Sequence, residues 1–320
     1  MAELAQYSLI GALACIVLAL LMNLVVATSR SSQAARPVSA PAPTRVPATV
    51  AAAEGGTTAA VLEPEDLEAD PGDPAPTPPP RVGKTGLDIG PLANGFTVAA
   101  IAFLTAYLVF RTIQLGHLPL VNMSGYASAL VWMVLMADLV AYGRFKVRLV
   151  SVVSHIVAAA LAIFAVVSGF TTGPLIPALQ NSMLLTLHVG FAIAGTGVAA
   201  VSLGGAVIYL LYPRLPGLKV PRHLFDEIGY KATVVMFPLW TIMLLFGSLW
   251  ANVAWGSYWS WDPKETAALV TWFVYAGFLH ARVVVGWRGT RSAVLLVIGF
   301  LAVLFTLFGN YFFGGLHSYA

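Results

Sequence analysis

The sequence predicts an all-α protein, a polytopic bundle of about eight transmembrane helices with a disordered linker after the first. Of its 320 residues, 58% are hydrophobic and only 10% are charged, whereas soluble domains carry about 25% charged residues. Apolar runs long enough to span a bilayer also recur along the chain. The formal net charge of +3 is small and scattered among these runs, so no nucleic-acid partner is predicted.

The first 90 residues divide into an apolar and a polar segment. Residues 1–27 contain an apolar run with no basic region before it and no clear cleavage site, which predicts a retained transmembrane helix. A cleaved signal peptide is the alternative. Residues 28–90 are rich in Ala and Pro, with eleven of the twenty prolines and seven of the fourteen acidic residues between positions 36 and 81. This composition predicts a disordered linker, because it buries too little apolar surface to offset the entropy lost on ordering.

Residues 91–320 are predicted to form a seven-helix membrane domain that carries the function. Its apolar runs cover residues 92–110, 125–142, 147–168, 183–212, 232–250, 266–285 and 293–313. Basic residues concentrate in three alternate connections, namely Arg144, Lys146, Arg148, Arg214, Lys219, Arg222, Lys231, Arg282, Arg288 and Arg291. The positive-inside rule assigns these connections to the cytoplasm of a bacterial cell. The connection at residues 250–265 and the C-terminus, which contain Lys264 as their only lysine or arginine, are then extracytoplasmic. Arg111 argues for the opposite orientation but is one residue against ten.

Aromatic side chains concentrate in the connection at residues 250–265. Four of the eight tryptophans lie there, Trp250, Trp255, Trp259 and Trp261, together with Tyr258. Membrane proteins collect Trp and Tyr at both interfaces, and an ordinary aromatic belt is the alternative interpretation. A belt scatters its aromatics over many helix ends, however, whereas a concentrated cluster favours a binding surface for a large, flat, apolar ligand.

The residues that follow the cluster predict the start of a helix. Asp262 is placed as the N-cap, Pro263 occupies the first helical position and Glu265 lies three residues after the cap. This order is a strong helix-start signal. Asp262 is therefore predicted to position the aromatic cluster rather than to transfer protons.

Two histidines lie on the predicted outer side with the aromatic cluster. His188 is near the outer end of the long run at residues 183–212, and His317 follows the last run. Two neutral imidazoles can ligate one heme iron from opposite faces. The chain has one cysteine, Cys15, and no CxxCH motif, so any heme is predicted to be held reversibly.

The remaining intramembrane polar residues are separated from that pair. His280 follows Asp262 by eighteen residues, or about 27 Å along one helix, so it is predicted to mark a second, inner site or an access route. His155, close to Ser151 in sequence, is predicted to be a hydrogen-bonded structural residue. Asp138 is left with two interpretations, pairing with an arginine or taking part in ligand access.

Residues 255–262, WGSYWSWD, resemble the tryptophan-rich WWD signature of heme-handling proteins. The continuation PKETAALVTWFVYAGFLHAR is most similar to the CcsA family, also called ResC, the integral-membrane component of System II cytochrome c biogenesis. The resemblance covers residues 92–320 and implies iron ligation by His188, in LHVGFAIAGT, and His317, in GGLHSY. A further histidine of the family matches His280, with a second heme site. The heme-contacting residues implied by the signature are Trp255, Gly256, Tyr258, Trp259, Trp261 and Asp262.

The resemblance also implies a function and partners. The chain would bind heme b transiently and without a covalent bond, convey it to the outer face and present it to the CxxCH motif of apocytochrome c. It would work with a ResB-type membrane partner as a subunit of a cytochrome c synthetase, with no catalytic residue of its own, since the apocytochrome supplies the thiols. The alternatives are a System I heme exporter partner or lyase with the same signature, and a quinone-binding or structural membrane protein.

Overall fold

A computed structural model describes residues 1–28, 89–169, 177–180, 182–309 and 312–317. The segment predicted as a linker lies, apart from residues 28, 89 and 90, outside the described residues. The described ranges form eight α-helices, namely α1 (Ala2–Thr28), α2 (Gly90–Leu115), α3 (Met123–Phe145), α4 (Arg148–Val167), α5 (Ser182–Leu211), α6 (Arg222–Trp255), α7 (Pro263–Val283) and α8 (Thr290–Phe308). The described residues contain no β-strand. The predicted all-α fold with eight helices is confirmed.

Seven of these eight helices, all except α7, are long and apolar enough to cross a membrane. The exception carries Lys264 and Glu265 in its first turn and His280 and Arg282 in its last. The chain is therefore a multi-pass membrane protein, and charge at both ends of α7 makes it less apolar than its neighbours.

The centre of the bundle is the pair of helices α5 and α6, and α5 also packs against α3, α4 and α8. Glycine permits the close approach of α5 to α6. A Cβ atom added at Gly205 would lie 2.7 Å from both Gly229 N and Phe225 O. Nearby, Ser202 Oγ donates a hydrogen bond to Gly229 O at 3.0 Å. Small residues and hydroxyl hydrogen bonds are the usual means by which membrane helices associate.

The N-terminal helix α1 belongs to the same bundle, packing against α2 and α4. Its buried side chains include Ala5, Leu9 and Ala12. Polar contacts fix its far end: Arg148, at the start of α4, donates to Asn23 Oδ1 at 3.0 Å and to Asn94 Oδ1 at 2.5 Å. One guanidinium thus ties together α1, α2 and α4.

The three basic connections share one end of the bundle. Lys231 Nζ lies 5.8 Å from the ring of Phe145, which joins the α3–α4 connection to the start of α6. Asp226 accepts from Arg282 at 2.7 Å and thereby ties α6 to the end of α7. Arg111, whose position argued for the opposite orientation, is fully buried and donates to Gln114 Oε1 at 2.8 Å. It is an internal charge rather than part of a basic surface.

Candidate ligand-binding site

The aromatic connection is shorter than its sequence predicts. Helix α6 continues to Trp255 and ends at Gly256. The φ angle of Gly256 is 76°, in the left-handed region, which residues with a side chain rarely adopt. Helix α7 then begins at Pro263 with the predicted capping box: Lys264 N donates to Asp262 Oδ1, and Asp262 N donates to Glu265 Oε2. The loop proper is residues 256–262. Trp250 and Trp255 therefore project from the rigid end of α6.

A cavity of about 1140 Å³, including its open mouth, lies beneath this loop. Its walls come from α3, α5, α6, α7 and α8, and most of the lining is apolar, as with Leu185, Met243 and Leu307. Largely hydrophobic walls are typical of ligand pockets in proteins. The lining therefore suits a large, flat, apolar molecule.

Three of the predicted aromatic residues, Trp255, Tyr258 and Trp259, line this cavity. Trp250 lines it as well; its ring packs edge-on against Trp255 with centroids 4.7 Å apart, and its Nε1 donates to Ala178 O at 3.1 Å. Trp261 is different. It is 70% exposed, has a φ of 59° and makes an edge contact with Trp259 outside the cavity lining.

His188 enters the cavity from the second turn of α5. Its Nδ1 lies 2.9 Å from Met243 O, and because a carbonyl oxygen only accepts, Nδ1 carries the proton and the lone pair is on Nε2. The ring fits against α6 only because residue 247 is glycine: a Cβ there would lie 2.6 Å from His188 Nδ1. Trp250 stacks parallel to the imidazole with centroids 6.0 Å apart.

His317 reaches the same cavity from the segment that follows α8. Its Nδ1 donates to Asp262 Oδ1 at 2.8 Å, and Leu316 N donates to Asp262 Oδ2 at 2.6 Å. The imidazole lies 4.7 Å from the ring of Trp255 and 5.9 Å from that of Trp250. In the neutral ring, a proton on Nδ1 puts the lone pair on Nε2.

The carboxyl group of Asp262 is held ionised. Burial opposes ionisation, but the hydrogen bond and electrostatic attraction of His317, with the N–H groups of Lys264 and Leu316, lower its pKa from 3.8 to about 2. Asp262 does not line the cavity; it caps α7, as predicted, and also orients His317. A histidine whose second nitrogen is held by a carboxylate is the usual arrangement around bound metal ions.

Comparison with known proteins places this chain in a family. The profile of the family described as Cytochrome C assembly protein matches residues 120–317. The chain is 31% identical to cytochrome c biogenesis protein CcsA of Gloeobacter violaceus, with 71% of this chain and 86% of the relative covered. The chain belongs to the CcsA family of cytochrome c assembly proteins. CcsA of Microcystis aeruginosa is 33% identical over 75% of this chain and 88% of the relative.

Membership of the CcsA family gives the chain a role in cytochrome c maturation. CcsA of Chlamydomonas reinhardtii is also similar, at 34% identity over 68% of this chain and 65% of the relative. The family match includes every predicted ligand residue, from His188 to His317.

The other predicted residues of this CcsA-family chain lie away from the cavity. His280 is in the last turn of α7, is exposed and does not line the cavity, so it is not brought together with His188 and His317. His155 is fully buried; its Nε2 lies 3.0 Å from Thr97 Oγ1 and its Nδ1 lies 2.8 Å from Ser151 O. It is the hydrogen-bonded residue that was predicted. Asp138 pairs with His155 at 3.7 Å rather than with an arginine.

Several residues of the CcsA-family site were not singled out by sequence reasoning. Gly247 makes room for His188, and Lys264 lines the cavity. Trp250 was recognised as part of the aromatic cluster but not as a ligand contact. The spacing of five residues between Trp250 and Trp255, about one and a half helical turns, could have indicated that both indoles project from one helix. A glycine within an apolar run gives no comparable signal.

Proposed function

We propose that this chain binds heme b reversibly in the cavity under residues 256–262 and presents it to apocytochrome c for covalent attachment. The observation that carries the proposal is the pair His188 and His317. Both imidazoles border one aromatic cavity, and each has its Nδ1 engaged by a protein acceptor. Both are thereby oriented with Nε2 as the nitrogen for a metal.

The cavity suits a porphyrin in the chemistry of its lining. Trp250, Trp255, Tyr258 and Trp259 supply aromatic surface for the macrocycle, and the walls around them are apolar. His188 and His317 are assigned to the two axial positions of the iron, which neutral imidazoles fill well. The family signature also implies Gly256 and Trp261 as heme contacts. Here we assign them a role in shaping the loop, because Gly256 ends α6 and Trp261 packs on Trp259.

The orientation of the bundle favours presentation outside the cytoplasm. The cavity lies under residues 256–262, away from the basic connections that the positive-inside rule assigns to the cytoplasm. Thioether formation uses the thiols of the apocytochrome, so this chain contributes binding, orientation and iron ligation. It needs no nucleophile of its own for that role.

His280 supports the proposal of a ResB-type membrane partner and of a second heme contact. It is an exposed ionisable side chain near one end of a membrane-domain helix. Such groups are costly toward lipid and are usually covered by protein or used in function. We therefore assign the face of α7 around His280 to contact with the ResB-type partner. Heme would pass this face before it reaches the outer cavity.

The decisive experiment is an absorbance spectrum of the chain purified with its membrane partner. Wild-type protein is expected to show a reduced low-spin heme spectrum. His188→Gly and His317→Gly should each lose it or show high-spin iron, and added imidazole should partly restore the His188→Gly spectrum and cytochrome assembly. His117→Gly is the matched control, because that histidine lies outside the cavity.

Two results would overturn the assignment. Wild-type spectra in both variants, with full cytochrome assembly, would mean that another pair of residues ligates the iron. A wild-type complex that takes up no heme under any condition would favour a quinone-binding or structural role for the same cavity. Retention of heme with loss of assembly in an otherwise normal His317→Gly protein would separate binding from presentation.

A further inference from the structure

One cationic side chain of the cavity has no part in iron ligation by His188 and His317; the carboxylate of Glu265 lines the cavity as well. Lys264 lies in the first turn of α7 and lines the same cavity as Trp259 and His317. Within the described lining of the cavity, no other lysine or arginine is present. The cavity therefore has a single cationic position, next to the loop that closes it.

The neighbouring carboxylates are engaged by other groups. Glu265 Oε2 accepts from Ser260 N, Ser260 Oγ and Asp262 N at 2.9–3.2 Å. The carboxylate of Asp262 accepts from His317, Leu316 N and the backbone N–H of Lys264. Among the ion pairs of the described residues, none involves the Lys264 ammonium.

An unpaired ammonium in a largely apolar wall is unfavourable until an anion pairs with it. Lys264 keeps only part of its surface accessible in the ligand-free cavity. A bound macrocycle that fills the cavity would cover that part. A ligand carrying its own carboxylate at this position would replace the lost hydration with a charge-assisted hydrogen bond.

We propose that Lys264 recognises a propionate carboxylate of heme and so sets which edge of the bound macrocycle faces Lys264. This inference rests on the proposed function. Heme carries both propionates on one edge, and its two vinyl groups, which form the thioethers, lie away from that edge. Pairing one propionate with Lys264 fixes the in-plane rotation that axial ligation by His188 and His317 leaves free. Lys264 is thus a specificity-determining residue for the acidic edge of the porphyrin.

The test compares heme with its dimethyl ester, in which both carboxylates are masked and the iron is unchanged. Each compound is titrated into the purified complex and binding is followed by the Soret band. Wild-type protein is expected to bind heme about tenfold or more tightly than the ester, the scale of one charge-assisted hydrogen bond. Lys264→Met should bind both compounds with the affinity that wild type shows for the ester, and Lys264→Arg should keep most of the preference.

Lys231→Met is the matched control, because Lys231 pairs with Glu227 among the basic connections, away from this loop. It should discriminate as wild type does. Equal binding of heme and ester by wild type, undiminished preference in Lys264→Met, or an equal loss of both ligands in Lys264→Met would each overturn the propionate assignment. Failure of wild type to bind either compound would instead remove the proposed function, so the two failures are distinguishable.

Discussion

His317 and Asp262 are 55 residues apart in sequence, yet Nδ1 of the histidine donates to Oδ1 of the carboxylate at 2.8 Å. The same Oδ1 accepts from Lys264 N at 2.9 Å and so caps α7. One carboxylate therefore fixes the start of a helix and the orientation of a histidine from the end of the chain. Asp262 is a positioning residue, since it lies outside the cavity lining and acts on the ligand only through His317.

Asp262→Ser should separate these two roles. Serine is as good an N-cap as aspartate, but its short hydroxyl cannot reach His317 and lacks the negative charge of the carboxylate. Helix α7 is expected to form normally, while heme affinity falls about 10- to 100-fold, as is typical when the partner of a metal-ligating histidine is removed. Heme titration measures the loss, and circular dichroism checks the helix. Unchanged affinity would show that His317 is oriented without Asp262.

The pKa of Asp262 predicts a pH dependence of this contact. Because the pKa is about 2 in the folded protein against 3.8 ordinarily, the ionised carboxylate stabilises the fold above the higher value. That stabilisation is lost as the pH falls through the lower one. Infrared difference spectra of wild type against Asp262→Ser should show no protonated carboxyl band from this residue at about pH 4, and one near pH 2. A band already present at about pH 5 would contradict the assignment.

The helices were predictable from sequence where hydropathy alone determines them. The apolar run at residues 232–250 predicts only part of α6, which spans Arg222–Trp255. The added first turns contain Asp226 and Glu227, polar residues that a search for apolar runs passes over. At the other end, the sequence prediction put Trp255 in a loop. The helix continues through Trp255 and ends at Gly256, which has a left-handed backbone conformation. In the sequence nothing distinguishes this glycine from the other 28.

The site was predictable to the extent that its residues share a local motif. The capping box from Asp262 to Glu265 follows a local rule, and the structure contains it. The contact of Asp262 with His317 joins segments distant in sequence, for which no local periodicity exists. Iron ligation by His188 and His317 remains a prediction. The geometry adds to it the orienting partner of each ring, Met243 O and Asp262.

Gly247→Ala should displace His188. The new Cβ would lie 2.6 Å from Nδ1 and 2.7 Å from Cε1 of the imidazole, so the ring would have to move and lose its hydrogen bond to Met243 O. Heme binding is expected to weaken by about tenfold or more, the scale of an overpacked contact of 1–3 kcal/mol. Gly190→Ala is the control, since a Cβ there meets nothing within 4 Å. Equal heme affinity in the two variants would show that His188 tolerates displacement.

Arg148→Leu should loosen the N-terminal helix. It removes the hydrogen bonds to Asn23 Oδ1, Asn94 Oδ1 and Gly90 O that join α1 and α2 to α4. The amide oxygen of the buried Asn23 then loses its guanidinium donor. Cys15, the single cysteine, lies on α1 and reports the change. Its reaction with a membrane-permeant maleimide is expected to accelerate several-fold. Arg144→Leu, at an exposed position, should leave the rate as in wild type, and an equal rate in Arg148→Leu would show that apolar packing alone holds α1.

The membrane orientation can be tested with single introduced cysteines in a Cys15→Ala background. Ser257 and Arg288 are both exposed, the first in the aromatic loop and the second between α7 and α8. The basic connections are assigned to the cytoplasm because moving their cations across the membrane is disfavoured during insertion. An impermeant thiol reagent applied to intact cells should label Ser257→Cys strongly and Arg288→Cys only after lysis. Strong labelling of Arg288→Cys in intact cells would reverse the orientation. The cavity under residues 256–262 would then open to the cytoplasm, and the proposed presentation of heme to an apocytochrome outside would be excluded.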